Sequence, residues 1–173
     1  MRNRIGFFGG CFNPVTYAHI NLIKEVIEKE NLYKVYFVPM GDFYQKKDLI
    51  DLKDRIEMIK IALKNEEKLD ILNISNRDKK TDAIDTFKLI DTMFPEDERF
   101  FIMGSDNYKK IDTWKNATDL IEHYHYIILD RENIETKNIS SSKVREKIKQ
   151  NENIENLVPV EVIQYIEQKK LYK

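Results

Sequence analysis

The chain has 173 residues; lysine and arginine number 29 and aspartate and glutamate 30, a formal net charge of −1 at pH 7. Nothing in that balance suggests a polyanion-binding protein of the basic-patch kind, and the length suits one domain, residues 1–173, with a continuous core. Apolar runs are strand-sized, no signal-peptide pattern precedes the first strand, and the single cysteine, Cys11, rules out an internal disulfide, so the expectation is a cytoplasmic protein without membrane or nucleic-acid partners.

Arg4 to Phe8 is short and apolar between polar flanks and predicts a buried strand. Thr16 is placed to cap a helix that keeps Ile20, Ile23, Val26 and Ile27 on one face. A second strand, Lys34 to Val38, ends at Pro39, and a polar loop, Met40 to Asp48, carries Lys46 and Lys47. Leu52, Ile56, Ile59 and Leu63 recur at helical spacing and predict a helix from Leu52 to Lys64. Leu69 to Ile74 reads as a third strand, and Ala83 to Met93 as a helix stopped by Phe94-Pro95.

Phe100 to Met103 predicts a fourth strand ending at Gly104-Ser105-Asp106, and Tyr108 to Ile121 short helices around Trp114. His125 to Leu129 is a fifth strand, followed by a polar stretch, Glu132 to Ser140. Ser141 to Gln150 reads as a short helix, and Val160 to Lys170 as a last one opened by Pro159. Strands alternating with helices imply a single α/β domain with a doubly wound parallel sheet of five strands or slightly more. Ligands of such sheets bind beyond the carboxyl ends of the strands. Gly9-Gly10, Pro39-Met40-Gly41, Gly104-Ser105-Asp106 and Asp130-Arg131 all fall there.

Two stretches carry the chemistry. Ile5 to His19 runs from strand through Gly9-Gly10 and Pro14 into a helix whose first turn holds His19. Glycines admit a close backbone approach, and a helix N-terminus favours an anion, so this order builds a phosphate site. Ile139 to Arg145 repeats the logic, with serines at a helix start and Ser141 and Arg145 on one face. Its bland reading is a capped helix with a solvated arginine. Cys11 reads as a small residue packed in a turn, while Arg55 and Arg131 fit either a site or an ordinary surface. His123 and His125 lie near a strand start with no carboxylate or cysteine at their spacing and read as structural rather than as a metal pair.

Gly10 to His19, in the order Gly-Cys-Phe-Asn-Pro-Val-Thr-Tyr-Ala-His, resembles the signature G-[ST]-F-[DN]-P-x-[HT]-x-x-H of the nucleotidyltransferase superfamily. Ile139 to Arg145 resembles its second signature, I-S-[STA]-[ST]-x-[IV]-R. Within the superfamily the chain is similar to nicotinamide/nicotinate mononucleotide adenylyltransferases. Tyr44 to Leu49 resembles their Y-x-K-K-D-L loop, with Arg55 following at the expected interval. Asp85-Thr86, Gly104-Ser105-Asp106, Trp114-Lys115 and Leu157 through Tyr172 resemble further pieces of that family in order. Three departures stand out: Thr16 where many bacterial members have a histidine, Ala18 for a frequent glycine, and Ala83 for a frequent threonine.

The resemblance implies a Rossmann-like nucleotidyltransferase fold with C-terminal helices. It implies adenylyl transfer from ATP to nicotinate or nicotinamide mononucleotide, with Mg²⁺ accompanying the ATP and no protein metal site. His19, Lys46 (or its neighbour Lys47) and Arg145 would act on the phosphates. Gly10, Cys11, Phe12, Thr16, Lys47, Gly104, Asp106, Ile139, Ser140 and Ser141 would complete the ATP side. Phe12, Asn13, Asp85, Thr86, Trp114 and Arg131 would line the mononucleotide side, Trp114 by stacking on the pyridine. The alternatives are a sister nucleotidyltransferase acting on phosphopantetheine or transferring a cytidylyl group, and a non-catalytic nucleotide sensor. Oligomeric state is left open, a homo-oligomer included. A dehydrogenase is disfavoured, because no G-x-G-x-x-G follows the first strand.

Overall fold

The computed structural model describes residues 2–42, 48–74, 82–129 and 139–173. Five strands, β1 (Arg4–Gly10), β2 (Lys34–Pro39), β3 (Leu69–Ile71), β4 (Glu98–Gly104) and β5 (His125–Leu129), form one sheet in the order β3-β2-β1-β4-β5. Every pairing is parallel. The helices are α1 (Tyr17–Lys29), α2 (Leu52–Leu63), α3 (Ala83–Met93), α4 (Ser105–Tyr108), α5 (Ala117–His123), α6 (Ser141–Lys149) and α7 (Val160–Lys169), with a 3₁₀ turn at Ile111–Thr113. Among the described residues no helix is long and apolar enough to cross a membrane.

Strand alternation divides the interior in two. Phe8, Val35, Phe37, Ile102 and Leu129 pack against α1, α2, α6 and α7 on one face. Ile5, Phe7, Val38, Phe101 and Met103 pack against α3, α5 and the 3₁₀ turn on the other. The sheet is therefore doubly wound, as the alternation of strand and helix predicts. The buried residues of α1 are Ile20, Ile23, Val26 and Ile27, the face its periodicity marks. Each such side chain stabilises the fold by about 1.5–3 kcal/mol. Gly6, in the middle of β1, is required by packing: a Cβ there would lie 2.7 Å from Ile102 Cδ1 and 2.9 Å from Val35 Cγ2.

Three strands differ by two residues or more from the sequence expectation, and β4 begins at Glu98 rather than Phe100 because Glu98 and Arg99 pair with Arg4 and Ile5 of β1. β3 stops at Ile71 rather than Ile74, because it is an edge strand laddered to β2 alone. Leu72 N–H still reaches the Phe37 carbonyl at 2.9 Å, so the chain continues alongside without a full ladder. β1 extends two residues further than predicted, to Gly10, since Gly9 and Gly10 pair with Val38 and Pro39. The glycine pair is thus the last rung of the strand and opens directly into the turn.

Candidate active site

The strand order reverses direction between β1 and β4, which places a ligand crevice outside their carboxyl ends. Gly10 and Gly104 end these two strands, and Met40 N–H binds the Gly10 carbonyl at 2.9 Å, joining the end of β2 to the same rim. Gly9 is exposed, with nothing within 4 Å of where its Cβ would be, whereas a Cβ on Gly10 would meet the Phe12 ring at 2.9 Å. Phe12 closes the turn from below. Its φ of 46° is left-handed, a conformation costing a non-glycine residue about 1–2 kcal/mol. Burial of its ring against Phe8, Phe37 and the edge of His19 offsets that cost.

His19 is oriented by Thr16. Thr16 is the N-cap of α1, fully buried, and its backbone N–H lies 3.1 Å from His19 Nδ1, with the hydroxyl 2.8 Å from the same nitrogen. A backbone N–H only donates, so Nδ1 accepts and the neutral ring carries its hydrogen on Nε2. The imidazole is held in one tautomer with a donor on its far side. His19 is half-buried on the first turn of α1, where the Tyr17 N–H is taken by the Leu157 carbonyl at 3.0 Å and the His19 N–H lies 3.1 Å from the Thr16 carbonyl, so the helix start favours an anion through its dipole.

The second signature folds onto the first. Ser140 caps α6, accepting from Lys143 N–H at 3.2 Å. Ser141 Oγ donates to the Pro14 carbonyl at 2.8 Å, and Arg145 Nη1 donates to the Asn13 carbonyl at 2.8 Å. Arg145 Nη2 reaches Ser142 Oγ at 3.4 Å, and its Nε is buried with no hydrogen-bond partner among the described residues. The bland reading of this helix, a solvated arginine on a capped end, does not hold: Arg145 and Ser141 grip the β1–α1 turn across more than a hundred residues of sequence.

Arg55 is the residue that sequence reasoning undervalued. It has no exposure at all. Its Nε donates to the Ile50 carbonyl at 3.0 Å, Nη1 to the Cys11 carbonyl at 2.8 Å, and Nη2 to Asp42 Oδ1 at 2.8 Å. One buried cation thus ties the β1–α1 turn to residues on both sides of the 43–47 segment. A charged residue on a helix normally marks the solvent face, so periodicity carries no trace of this role; the interval from the lysine loop was the only signal. Cys11 stands where the signature has serine or threonine, half-buried, with Sγ 3.8 Å from Met40 Sδ.

Phe12, Asn13 and Thr16, which the resemblance assigns to the ligand, are 2%, 5% and 0% exposed. Their side chains build the turn, and any contribution to a ligand comes through backbone or through the groups they orient. Asp85 is exposed and Thr86 half-buried on the first turn of α3, whose N-cap Asp82 pairs with Lys115 at 3.2 Å. That ion pair draws the Trp114 segment to the start of α3. Trp114 itself is half-buried against the second core. Gly104 is buried and Asp106 exposed on α4; Ile139 is half-buried and Ser140 exposed. Lys46, Lys47 and Arg131 lie outside the described residues.

The model of the family described as Cytidylyltransferase-like matches residues 7–147, from β1 into α6 and across both signatures. A protein of Halalkalibacterium halodurans named "Probable nicotinate-nucleotide adenylyltransferase" is 32% identical over 98% of this chain and 91% of its own length. A Lactococcus lactis protein of the same name is 30% identical over 99% and 96%. This chain belongs to the nicotinate-nucleotide adenylyltransferase family of nucleotidyltransferases. The fold agrees. The Plasmodium falciparum nicotinic acid mononucleotide adenylyltransferase complexed with NaAD superposes with a TM-score of 0.80 at 21% identity, covering 99% of this chain and 98% of its own. The same Plasmodium enzyme complexed with APC gives 0.79 at 20% identity, with the same coverage. In this member of the family, the turn between β1 and α1 is held from three sides, by Arg55, by α6 and by its own buried aromatic floor.

Proposed function

We propose that this chain transfers the adenylyl group of ATP to nicotinate mononucleotide, releasing pyrophosphate and forming the dinucleotide in NAD biosynthesis. The observation that carries the reading is the docking of α6 on the phosphate turn through Ser141 and Arg145, which joins both signature stretches into one anion cradle at the β1/β4 reversal. The names of the relatives support nicotinate mononucleotide as the acceptor.

A 5′-phosphate oxygen of the acceptor attacks the α-phosphorus of ATP in line. A new P–O bond forms as the bond to the bridging oxygen of pyrophosphate breaks, and no enzyme group becomes covalently attached. Such chemistry rests on positioning and charge stabilisation rather than on a protein nucleophile. His19, with Nδ1 committed to Thr16, donates from Nε2 to an oxygen of the transferring phosphate. Arg145 adds positive charge beside the turn, and Lys46 or Lys47 is assigned the leaving pyrophosphate. The triphosphate would bring Mg²⁺ with it to neutralise phosphate charge, since that ion keeps its waters and needs few protein carboxylates. Asp106 is assigned a ribose hydroxyl, and Trp114, with Asp85 and Thr86 drawn toward it by the Asp82–Lys115 pair, the mononucleotide. The reaction is placed in the cytoplasm, in keeping with the free thiol of Cys11.

The test uses ATP labelled at the α-phosphorus. All label should pass into the dinucleotide and none into acid-precipitated protein at any time in the turnover. Label retained on the protein would contradict direct transfer.

A further inference from the structure

Asn13 is the junction of four separate segments. Its Nδ2 donates to the Asp48 carbonyl at 2.8 Å, and its Oδ1 accepts from Ile50 N–H at 3.4 Å. Its own carbonyl accepts from Arg145. The fourth partner is Tyr172, just beyond α7, whose hydroxyl lies 2.9 Å from Asn13 Oδ1. The direction of this last bond follows from the others. A carbonyl only accepts and a backbone N–H only donates, so the Asn13 amide has one orientation and the Tyr172 hydroxyl must donate.

Tyr172 has the marks of a held group. It is 8% exposed and sits at φ 64°, a left-handed conformation that costs a tyrosine energy unless its surroundings fix it. Burial pushes its phenol well above the usual tyrosine range, although the positive charges of Arg145 and Arg55 pull the other way. The hydroxyl therefore keeps its proton, and both cations that grip the phosphate turn are near enough to be felt. No motif that touches phosphate contains it, and the mechanism above leaves it unused.

We infer that Tyr172 is a positioning residue for the phosphate cradle: its hydroxyl fixes the Asn13 amide and, through it, the turn that Arg145 holds. This rests on the cradle being an ATP site, as proposed above. Tyr172→Phe keeps the ring and its packing and deletes only the donor. Mg-ATP affinity by calorimetry, turnover and thermal unfolding are measured together for this variant, with and without Asn13→Ala or Asn13→Ser.

The expected result is a rise in the ATP Kd of about fivefold, and a fall in kcat of similar size, the effect of one lost hydrogen bond. The unfolding temperature should move by only a few degrees. In either Asn13 background the substitution should add less than about twofold, because the partner it acts through is gone. A lower unfolding temperature with unchanged ATP affinity would assign Tyr172 to packing and overturn the inference. So would a full penalty persisting without the Asn13 amide. Wild-type protein silent with every acceptor would overturn the proposed reaction instead, while the ATP titration still decides the role of Tyr172.

Discussion

The guanidinium of Arg55 meets the Cys11 carbonyl at 2.8 Å from a position with no solvent exposure. A buried cation is tolerated only when paired and hydrogen-bonded, and Arg55 is both, through Asp42 and the carbonyls of Ile50 and Cys11. It is the internal strut of the turn between β1 and α1.

Removing it should be costly. Arg55→Met deletes the cation but leaves the Asp42 carboxylate and two inward carbonyls without their donor, an expected loss of about 3–5 kcal/mol. Asp42→Asn keeps an oxygen to accept from Arg55 Nη2 but leaves the buried guanidinium without its counter-charge, so its loss should be smaller than that of Arg55→Met yet above that of a surface pair. Urea unfolding of the two variants checks the ordering. Equal, small losses would remove Arg55 from its structural role.

The glycines of β1 should separate folding from binding. Gly6→Ala drives a methyl against Ile102 and Val35 and should cost about 1–3 kcal/mol. Gly9→Ala meets nothing within 4 Å and needs no positive φ, so stability should change by less than about 1 kcal/mol. Its methyl would stand in open space at the carboxyl end of β1, and ATP affinity should fall about tenfold, some 1.4 kcal/mol. Calorimetric titration beside thermal unfolding reads both.

How far the sequence carried the argument differs between fold and site. α3 and β5 have their predicted bounds, Ala83–Met93 and His125–Leu129, because each is set by local chemistry: helical periodicity before Phe94-Pro95, and an apolar run between polar flanks. β3 was overextended because the ladder depends on how many neighbours a strand has, which no local pattern records. The two signatures point to the candidate site, but they record residue type and not direction. The side chains of Asn13 and Thr16 turn inward to Tyr172, Ile50 and His19, a direction that no signature records. Arg55 was legible only by its interval from the lysine loop, since its partners are fixed by tertiary packing.

Alkaline stability should reflect Tyr165 and Tyr124, together with Tyr126 and Tyr172, whose phenols burial also pushes up. Tyr165 donates to Asp54 Oδ1 at 2.8 Å, and burial first, then that carboxylate, pushes its pKa up to about 12. Tyr124 is pushed up to about 12 by burial and then by Asp91. Both raised values favour the neutral phenol in the folded state. Their contribution is therefore complete below the ordinary value of 10.0 and lost as pH rises through about 12. Unfolding free energy should fall across that window, and Tyr165→Phe should make the fall shallower. A slope unaltered by the substitution would contradict the assignment.

His19 should be the most sensitive single position. His19→Ala removes the donor that Thr16 orients and should lower kcat by about 10²–10³, the range seen when one stabilising donor is lost. His19→Ala that retained near wild-type kcat would remove it from the mechanism. Thr16→Val should act in the same direction but more weakly, since the backbone N–H to Nδ1 remains.

The most direct measurement is pyrophosphate release from Mg-ATP with nicotinate mononucleotide, nicotinamide mononucleotide and phosphopantetheine in parallel. The account predicts turnover with the pyridine mononucleotides, the higher kcat/KM for nicotinate mononucleotide, and none with phosphopantetheine. Turnover with phosphopantetheine alone, or ATP binding without turnover of any acceptor, would contradict it.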